Sequence, residues 1–359
     1  MQTVIHNMNL LFPQKWDPDS IIHSGSQEPF DPEIIGFLDE LSRNLNHDPL
    51  ARVFPDVITF AFFCRKANLI RLRDELLKEQ RLRLGRGVVF HIAPSNVPVN
   101  FAYSLICGLL AGNSNIVRIP SQPFQQVDII CKAISDIHQK GNFNKITSRI
   151  ALVRYKKSSE LTGYFSSICD VRVIWGGDDT ISSIRKFQLP PRAFDVTFAD
   201  RYSLCIMNAD KYINASEKEQ IATGFYNDTY HFDQNACTSP HLVVWTGSED
   251  NVNQSRKIFW DLLRKEINRK QYALQPISAV EKLTVFFSQA IDTNKIHKSD
   301  INDNILWVNE LKTLPVNIED FRCAGGYFND YHAASLYDIA AAINRKYQTL
   351  SYFGFDYSE

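Results

Sequence analysis

Absent from this sequence of 359 residues is any Cys-x-x-Cys pair. The seven cysteines, Cys64, Cys107, Cys131, Cys169, Cys205, Cys237 and Cys323, are odd in number and scattered. That spacing excludes a disulfide frame and a zinc site, so no metal is expected and a reducing, cytoplasmic setting is. Charge of one sign is also lacking: 39 Lys and Arg stand against 40 Asp and Glu. No strong field results, and nothing in it points to nucleic acid or a membrane surface. Long apolar runs are missing. The most apolar stretch, residues 97–111, is broken by Pro98, Asn100 and Gly108 and falls short of the roughly 20 residues a membrane span needs. The first residues, MQTVIHNMNLLFPQKW, lack a basic segment followed by a long apolar one, so no signal peptide is expected. Internal repeats and low-complexity tracts are absent as well.

What is present is the composition of a folded globular chain, 44% hydrophobic and 22% charged, long enough for two medium domains or one α/β unit with a lobe. Residues 1–60 are irregular and proline-punctuated, with a helix over 33–45. A helical pattern runs from Phe60 to about Arg83. Strands are then predicted over 88–92, 115–119, 150–153, 171–175 and 194–198, alternating with helices over 99–111, 123–138 and 158–168. That alternation predicts a doubly wound parallel sheet, which binds ligands at the carboxyl ends of its strands. Beyond residue 200 strands are predicted over 203–208 and 241–245. A capping box at Ser216-x-x-Glu219 predicts a helix to Thr229, and an amphipathic pattern a helix over 251–268. Residues 292–303 read as a surface loop, and Ser335-x-x-Asp338 as the start of a last helix ending near Tyr347.

Four segments carry candidate chemistry. His91-Ile-Ala-Pro-Ser-Asn-Val-Pro98 follows a strand, and its prolines would hold Asn96 rigidly at the strand's end, either as an oxyanion donor or as a turn residue. Ala111–Ser121 puts Arg118 where a dinucleotide's ribose or 2′-phosphate would lie, although a surface arginine fits too. Trp175-Gly-Gly-Asp-Asp-Thr180 is a glycine turn whose amides could approach a pyrophosphate, with Asp178 repelling phosphate if it points inward. His231-Phe-Asp-Gln-Asn-Ala-Cys-Thr-Ser-Pro240 places Cys237 among small polar residues. Cys205 and Cys107 lie in apolar runs, as buried cysteines do. His231 and His241 leave a Cys–His dyad open.

Together these segments, in this order, resemble the aldehyde dehydrogenase superfamily, and most closely its LuxC-type branch of fatty acyl-CoA (acyl-protein thioester) reductases. The resemblance is firm over residues 86–245. It implies an aldehyde dehydrogenase-like α/β fold: an N-terminal segment with a doubly wound dinucleotide-binding domain (1–202), a smaller α/β catalytic domain (203–345) and a C-terminal tail (346–359). It also implies that Cys237 is the nucleophile and Asn96 the oxyanion-hole residue. Arg118 and Ser121, with Gly176, Gly177 and Asp178, would then face the cofactor, NADPH or alternatively NADH.

Two departures stand out. Phe198 takes the place of the glutamate that activates water in aldehyde oxidisers, which favours thioester reduction, because an activated water would waste the acyl-enzyme as acid. Arg322-Cys-Ala-Gly-Gly326 replaces an E-x-F-G-P-like motif, and the chain stops where relatives continue. The expected activity is reduction of a fatty acyl-CoA or acyl-protein thioester to the aldehyde, with an acyl-protein synthetase as possible partner and a homo-oligomer as the expected assembly. The alternatives are an acyl-accepting or scaffold partner of such a synthetase that performs no reduction, and a Cys–His hydrolase.

Overall fold

The apolar run Val88–Ile92 is buried along its whole length, as a central strand of a covered parallel sheet must be. A computed structural model describes residues 8–78, 81–94, 97–156, 159–274 and 276–356. The chain divides into two compact units, Met1–Ala199 and Asp200–Glu359.

In the first unit, β1 (Asn9–Phe12), β2 (Val88–Ile92), β3 (Ser114–Arg118), β4 (Ile150–Arg154), β5 (Val171–Trp175) and β6 (Phe194–Phe198) form one sheet in the order β1-β4-β3-β2-β5-β6. All neighbours run parallel except β1 against β4. Successive side chains leave a strand on opposite faces. Val117 and Leu152 therefore pack with α1 (Pro32–His47), α4 (Asn100–Leu110) and α5 (Gln125–Gln139). Phe90, Ile116 and Val153 pack on the other face with Leu161 and Phe165 of α6 (Ser159–Ile168) and Ile181 of α7 (Asp178–Arg185). Each fully buried side chain of this size contributes roughly 1.5–3 kcal/mol. Helix α4 reaches its strands through Gly108, where a Cβ would lie 1.9 Å from Asn115 Oδ1. The order reverses between β2 and β5, so the loops after these two strands flank the crevice where doubly wound sheets take ligands.

The second unit repeats the plan. Its strands are β7 (Tyr202–Asn208), β8 (Leu242–Thr246), β9 (Ile296–Asp300), β10 (Trp307–Leu311), β11 (Tyr327–His332) and β12 (Tyr347–Phe353), in the order β12-β7-β8-β11-β10-β9. Only β9 is antiparallel to its neighbour. Cys205, Met207, Val243 and Trp245 pack beneath Phe225 of α8 (Lys218–Thr229) and Phe259, Trp260 and Leu263 of α9 (Glu249–Arg269).

The structure corrects several sequence expectations. The helical pattern over 60–83 is two helices, α2 (Pro55–Phe63) and α3 (Lys66–Leu76), because Cys64 caps the first and Arg65 is extended. Residues 292–303 are not a loop. They contain β9, an edge strand whose polar residues suit its exposed side. Ser216 forms no capping box: its hydroxyl donates to Glu217, and α8 begins two residues later. The Ser335 box does form, yet only a 3₁₀ turn over Leu336–Ile339 follows it. The expected tail supplies β12 at Tyr347–Phe353, aromatic and alternating in burial, parallel to β7.

Candidate active site

In the first unit, the strand β2 delivers the chain to Pro94. Asn96 lies outside the described residues. Within β2, His91 is fully enclosed. Its Nε2–H donates to Asn115 Oδ1 (2.9 Å), its Nδ1 accepts from the Ser104 hydroxyl (2.7 Å), and Ser104 Oγ accepts from the Trp175 indole N–H (3.1 Å). Burial pushes the His91 pKa down to about 4, so the ring is neutral near pH 7 and serves as a relay of hydrogen bonds. The relay fixes Trp175, whose ring stacks on Phe198 at 3.8 Å and 6° across the registered β5–β6 pair. Phe198 remains 43% exposed, an apolar surface at the end of β6.

Arg118 ends β3 half-buried, its guanidinium 4.8 Å from the centre of the Tyr155 ring. Its buried Nε has no hydrogen-bond partner among the described residues. Ser121 is exposed and donates to the Tyr155 carbonyl (3.3 Å). Gly176 donates its N–H to the Phe198 carbonyl (3.2 Å), and Gly177 is the N-cap of α7 without any side-chain cap. Asp178 opens that helix on the exposed side, where a carboxylate is favoured by the helix dipole.

Cys237 belongs to the second unit. It lies in the turn between α8 and β8, at the amino ends of the parallel strands, and its thiol is exposed. Ser203, at the start of β7, donates to the Cys237 carbonyl (2.7 Å), and Ser239 donates its hydroxyl to the Asp228 carbonyl (2.7 Å). Burial pushes the thiols of Cys131, Cys169 and Cys205 up to about 12 and that of Cys323 to about 11, and it raises Cys64 as well. Cys107, expected to be buried, is exposed on α4, but its thiol too is raised by the apolar mass around it.

No hydrogen bond joins Cys237 Sγ to a histidine among the described residues. His231 is exposed with its ring edge against Phe232. His241 is buried with both nitrogens committed. Nδ1–H donates to the Cys323 carbonyl (3.0 Å), and Nε2 accepts from Arg322 Nε (3.1 Å). Burial, reinforced by Arg322, pushes its pKa down to about 3. A ring so occupied cannot take the proton of Cys237, and the dyad reading of His241 is set aside.

Two residues missed by sequence reasoning brace the turn. Arg322 donates to the carbonyls of Arg201 (2.9 Å) and Asn235 (3.4 Å) as well as to His241. Gln234 is fully buried and has a left-handed φ of 61°. Its amide nitrogen donates to the carbonyls of Pro240 and Tyr327 (both 3.0 Å), and its amide oxygen accepts from the N–H groups of Gly326 (2.9 Å) and Tyr327 (3.0 Å). A left-handed φ costs a non-glycine residue about 1–2 kcal/mol. Four buried hydrogen bonds at about 0.5–1.5 kcal/mol each offset it. Gly326 is obligatory at the other side, since a Cβ there would lie 2.2 Å from the Ile305 carbonyl oxygen. No sequence signal marked Gln234 as buried, because it stands in a polar run. Among the described residues no group of three or more His, Cys, Asp or Glu side chains could hold a metal, and no helix is long and apolar enough to cross a membrane.

Residues 68–308, about two thirds of the chain, match the family model described as acyl-CoA reductase (LuxC). The chain belongs to this family. A long-chain acyl-protein thioester reductase of Aliivibrio fischeri is 26% identical over 186 residues, covering 51% of this chain and 36% of that relative. Another of Vibrio harveyi is 29% identical over 168 residues, covering 46% and 33%. The LuxC-type chain thus matches about a third of the length of these relatives. Its fold is that of aldehyde dehydrogenases. Aldehyde dehydrogenase 21 of Physcomitrella patens superposes with a TM-score of 0.67 at 11% identity, over 95% of this chain and 77% of that one. A 1-pyrroline-5-carboxylate dehydrogenase of Thermus thermophilus gives 0.64 at 11%, over 95% and 72%.

Proposed function

We propose that this protein reduces a fatty acyl thioester, carried by CoA or by a protein, to the aldehyde through an acyl-enzyme on Cys237, with NADPH as reductant. The observation that carries the reading is the exposed Cys237 thiol, held at the amino ends of the second sheet by a turn braced from Ser203 and Gln234. The acylated protein substrate is taken from the activity named for the relatives. An acyl-protein synthetase as donor partner, a homo-oligomeric assembly and a cytoplasmic setting complete the reading.

The Cys237 thiolate attacks the thioester carbonyl. The oxyanion is held by the Asn96 side-chain amide and the Cys237 backbone N–H, and collapse expels the carrier thiol. When bound, NADPH supplies a hydride. The thioester carbon on Cys237 would be the hydride acceptor, and expulsion of the Cys237 thiolate from the resulting alkoxide would release the aldehyde. The sequence has Phe198, which cannot act as a base, in place of the glutamate that activates water in aldehyde oxidisers, so the thioester would wait for hydride instead of hydrolysing. In favour of a dinucleotide at the first sheet are the buried Nε of Arg118, without a hydrogen-bond partner among the described residues, and the glycine turn that opens α7 at Gly177. Arg118 would pair with a 2′-phosphate, which favours NADPH over NADH.

The test is to incubate the protein with radiolabelled palmitoyl-CoA, locate the label by peptide mapping, then add NADPH. Label on Cys237 that converts to aldehyde supports the reading. Label that persists indicates an acyl acceptor that does not reduce, and aldehyde formation without Cys237 overturns the mechanism.

A further inference from the structure

The thiol of Cys237 makes no hydrogen bond among the described residues, so the turn that carries it must set its direction. That turn is tied on one side to a single distant segment. Gly325 N–H donates to the Asp233 carbonyl (2.9 Å), Gln234 binds Gly326 and Tyr327 through its amide, and Arg322 reaches the Asn235 carbonyl. Three consecutive residues before the cysteine loop tip are thus clamped to residues 322–327. Gln234 contributes most of the clamp, and it also bonds forward to Pro240, on the far side of Cys237.

We infer that Gln234 is a positioning residue: by closing the Cys237 turn on itself and onto the start of β11, its amide fixes the angle at which the thiolate meets a thioester. This rests on the reading of Cys237 as the acyl-accepting nucleophile. The chemistry of the clamp is specific to a glutamine. Glutamate would keep the two acceptor bonds but present a carboxylate to the carbonyls of Pro240 and Tyr327, and asparagine is one methylene too short to reach both sides. Glycine would take the left-handed φ of 61° without strain but would leave the four backbone partners of the amide unpaired. A well-filled, strained position beside the reactive group is the pattern expected where geometry matters more than stability.

The experiment uses the full chain with Q234G and Q234E. Glycine adopts the left-handed φ without strain, so Q234G deletes the amide and leaves the backbone conformation allowed, should Q234E fail to fold. Two rates are compared at one pH: acylation of Cys237 by palmitoyl-CoA across its concentration range, and alkylation of Cys237 by iodoacetamide, both located by peptide mass spectrometry. Acylation needs an aligned electrophile and alkylation does not. Misplacement by about 1 Å can cost on the order of 100-fold in a directed reaction. The expected result is a maximal acylation rate about 10- to 100-fold lower, with half-saturation and alkylation within about threefold of wild type. Acylation unchanged in folded Q234G, whatever its melting temperature, overturns the inference. An equal fall in both rates overturns it too, because it would show lost thiolate and not lost direction. Wild-type protein that is alkylated but never acylated removes the reading of Cys237 itself, and the inference with it.

Discussion

The two sheets share one plan, five parallel strands with an antiparallel sixth at an edge, yet they present their candidate chemistry at opposite ends. In the first unit Arg118 and the Gly176-Gly177 turn stand at the carboxyl ends, next to the reversal between β2 and β5. In the second, Cys237 and its brace stand at the amino ends, before β8 and β11. The first end offers main-chain amides and a cation, the chemistry for a phosphate-bearing ligand. The second offers a soft nucleophile in a turn held by buried side chains, the chemistry for covalent transfer. The same architecture thus carries its candidate binding groups at one end of a sheet and its candidate nucleophile at the other.

The division of labour can be broken from either side. The largest effect is expected from C237A, which should lose acyl-enzyme and aldehyde formation to background, measured by label incorporation. N96A should lower turnover by about 10²–10³ while Cys237 is still acylated, seen in single-turnover rates. R118A should weaken NADPH binding by about 10- to 100-fold, the size of one charge-assisted hydrogen bond, and weaken NADH less, as read by fluorescence titration. F198E should raise release of free fatty acid from the acyl-enzyme about tenfold at the expense of aldehyde, a fraction of what a fully positioned general base achieves. A separate effect, away from the chemistry, concerns stability. His91 and His241 have folded pKa values depressed to about 4 and about 3, so the unfolded chain takes up protons first as pH falls below about 6.5. Their contribution is present above that pH and lost toward pH 4 and below. Thermal melts should show a midpoint that falls from pH 7 to pH 4, less steeply in H91Q.

The first unit was far more legible in sequence than the second, for a physical reason. The expected bounds of Val88–Ile92, Val171–Trp175 and Phe194–Phe198 match the structure. The first is a continuous apolar run of a covered parallel strand, the second is apolar but for Arg172, and the third is an edge strand that alternates apolar and polar residues. In the second unit β9 hides in polar residues, because it is an edge. Helix α10 (Pro276–Thr293) went unread because Ile277, Val280, Phe287 and Ile291 point outward and leave no one-sided core pattern. Cys237 stood out by its polar neighbours. Its holders did not: Gln234 and Arg322 act through partners 92 and 81 residues distant, respectively, and such pairings exist only in the fold.

That separation has a consequence for how the protein is made. Gln234 cannot close on Tyr327 until the ribosome has added the 93 residues that end at Tyr327. At about 5–20 residues per second this takes on the order of 5 to 20 seconds. Throughout that interval Cys237 sits on a growing chain, already synthesised but not yet aimed. The turn that carries Cys237 is therefore closed late, after the first unit has had time to fold.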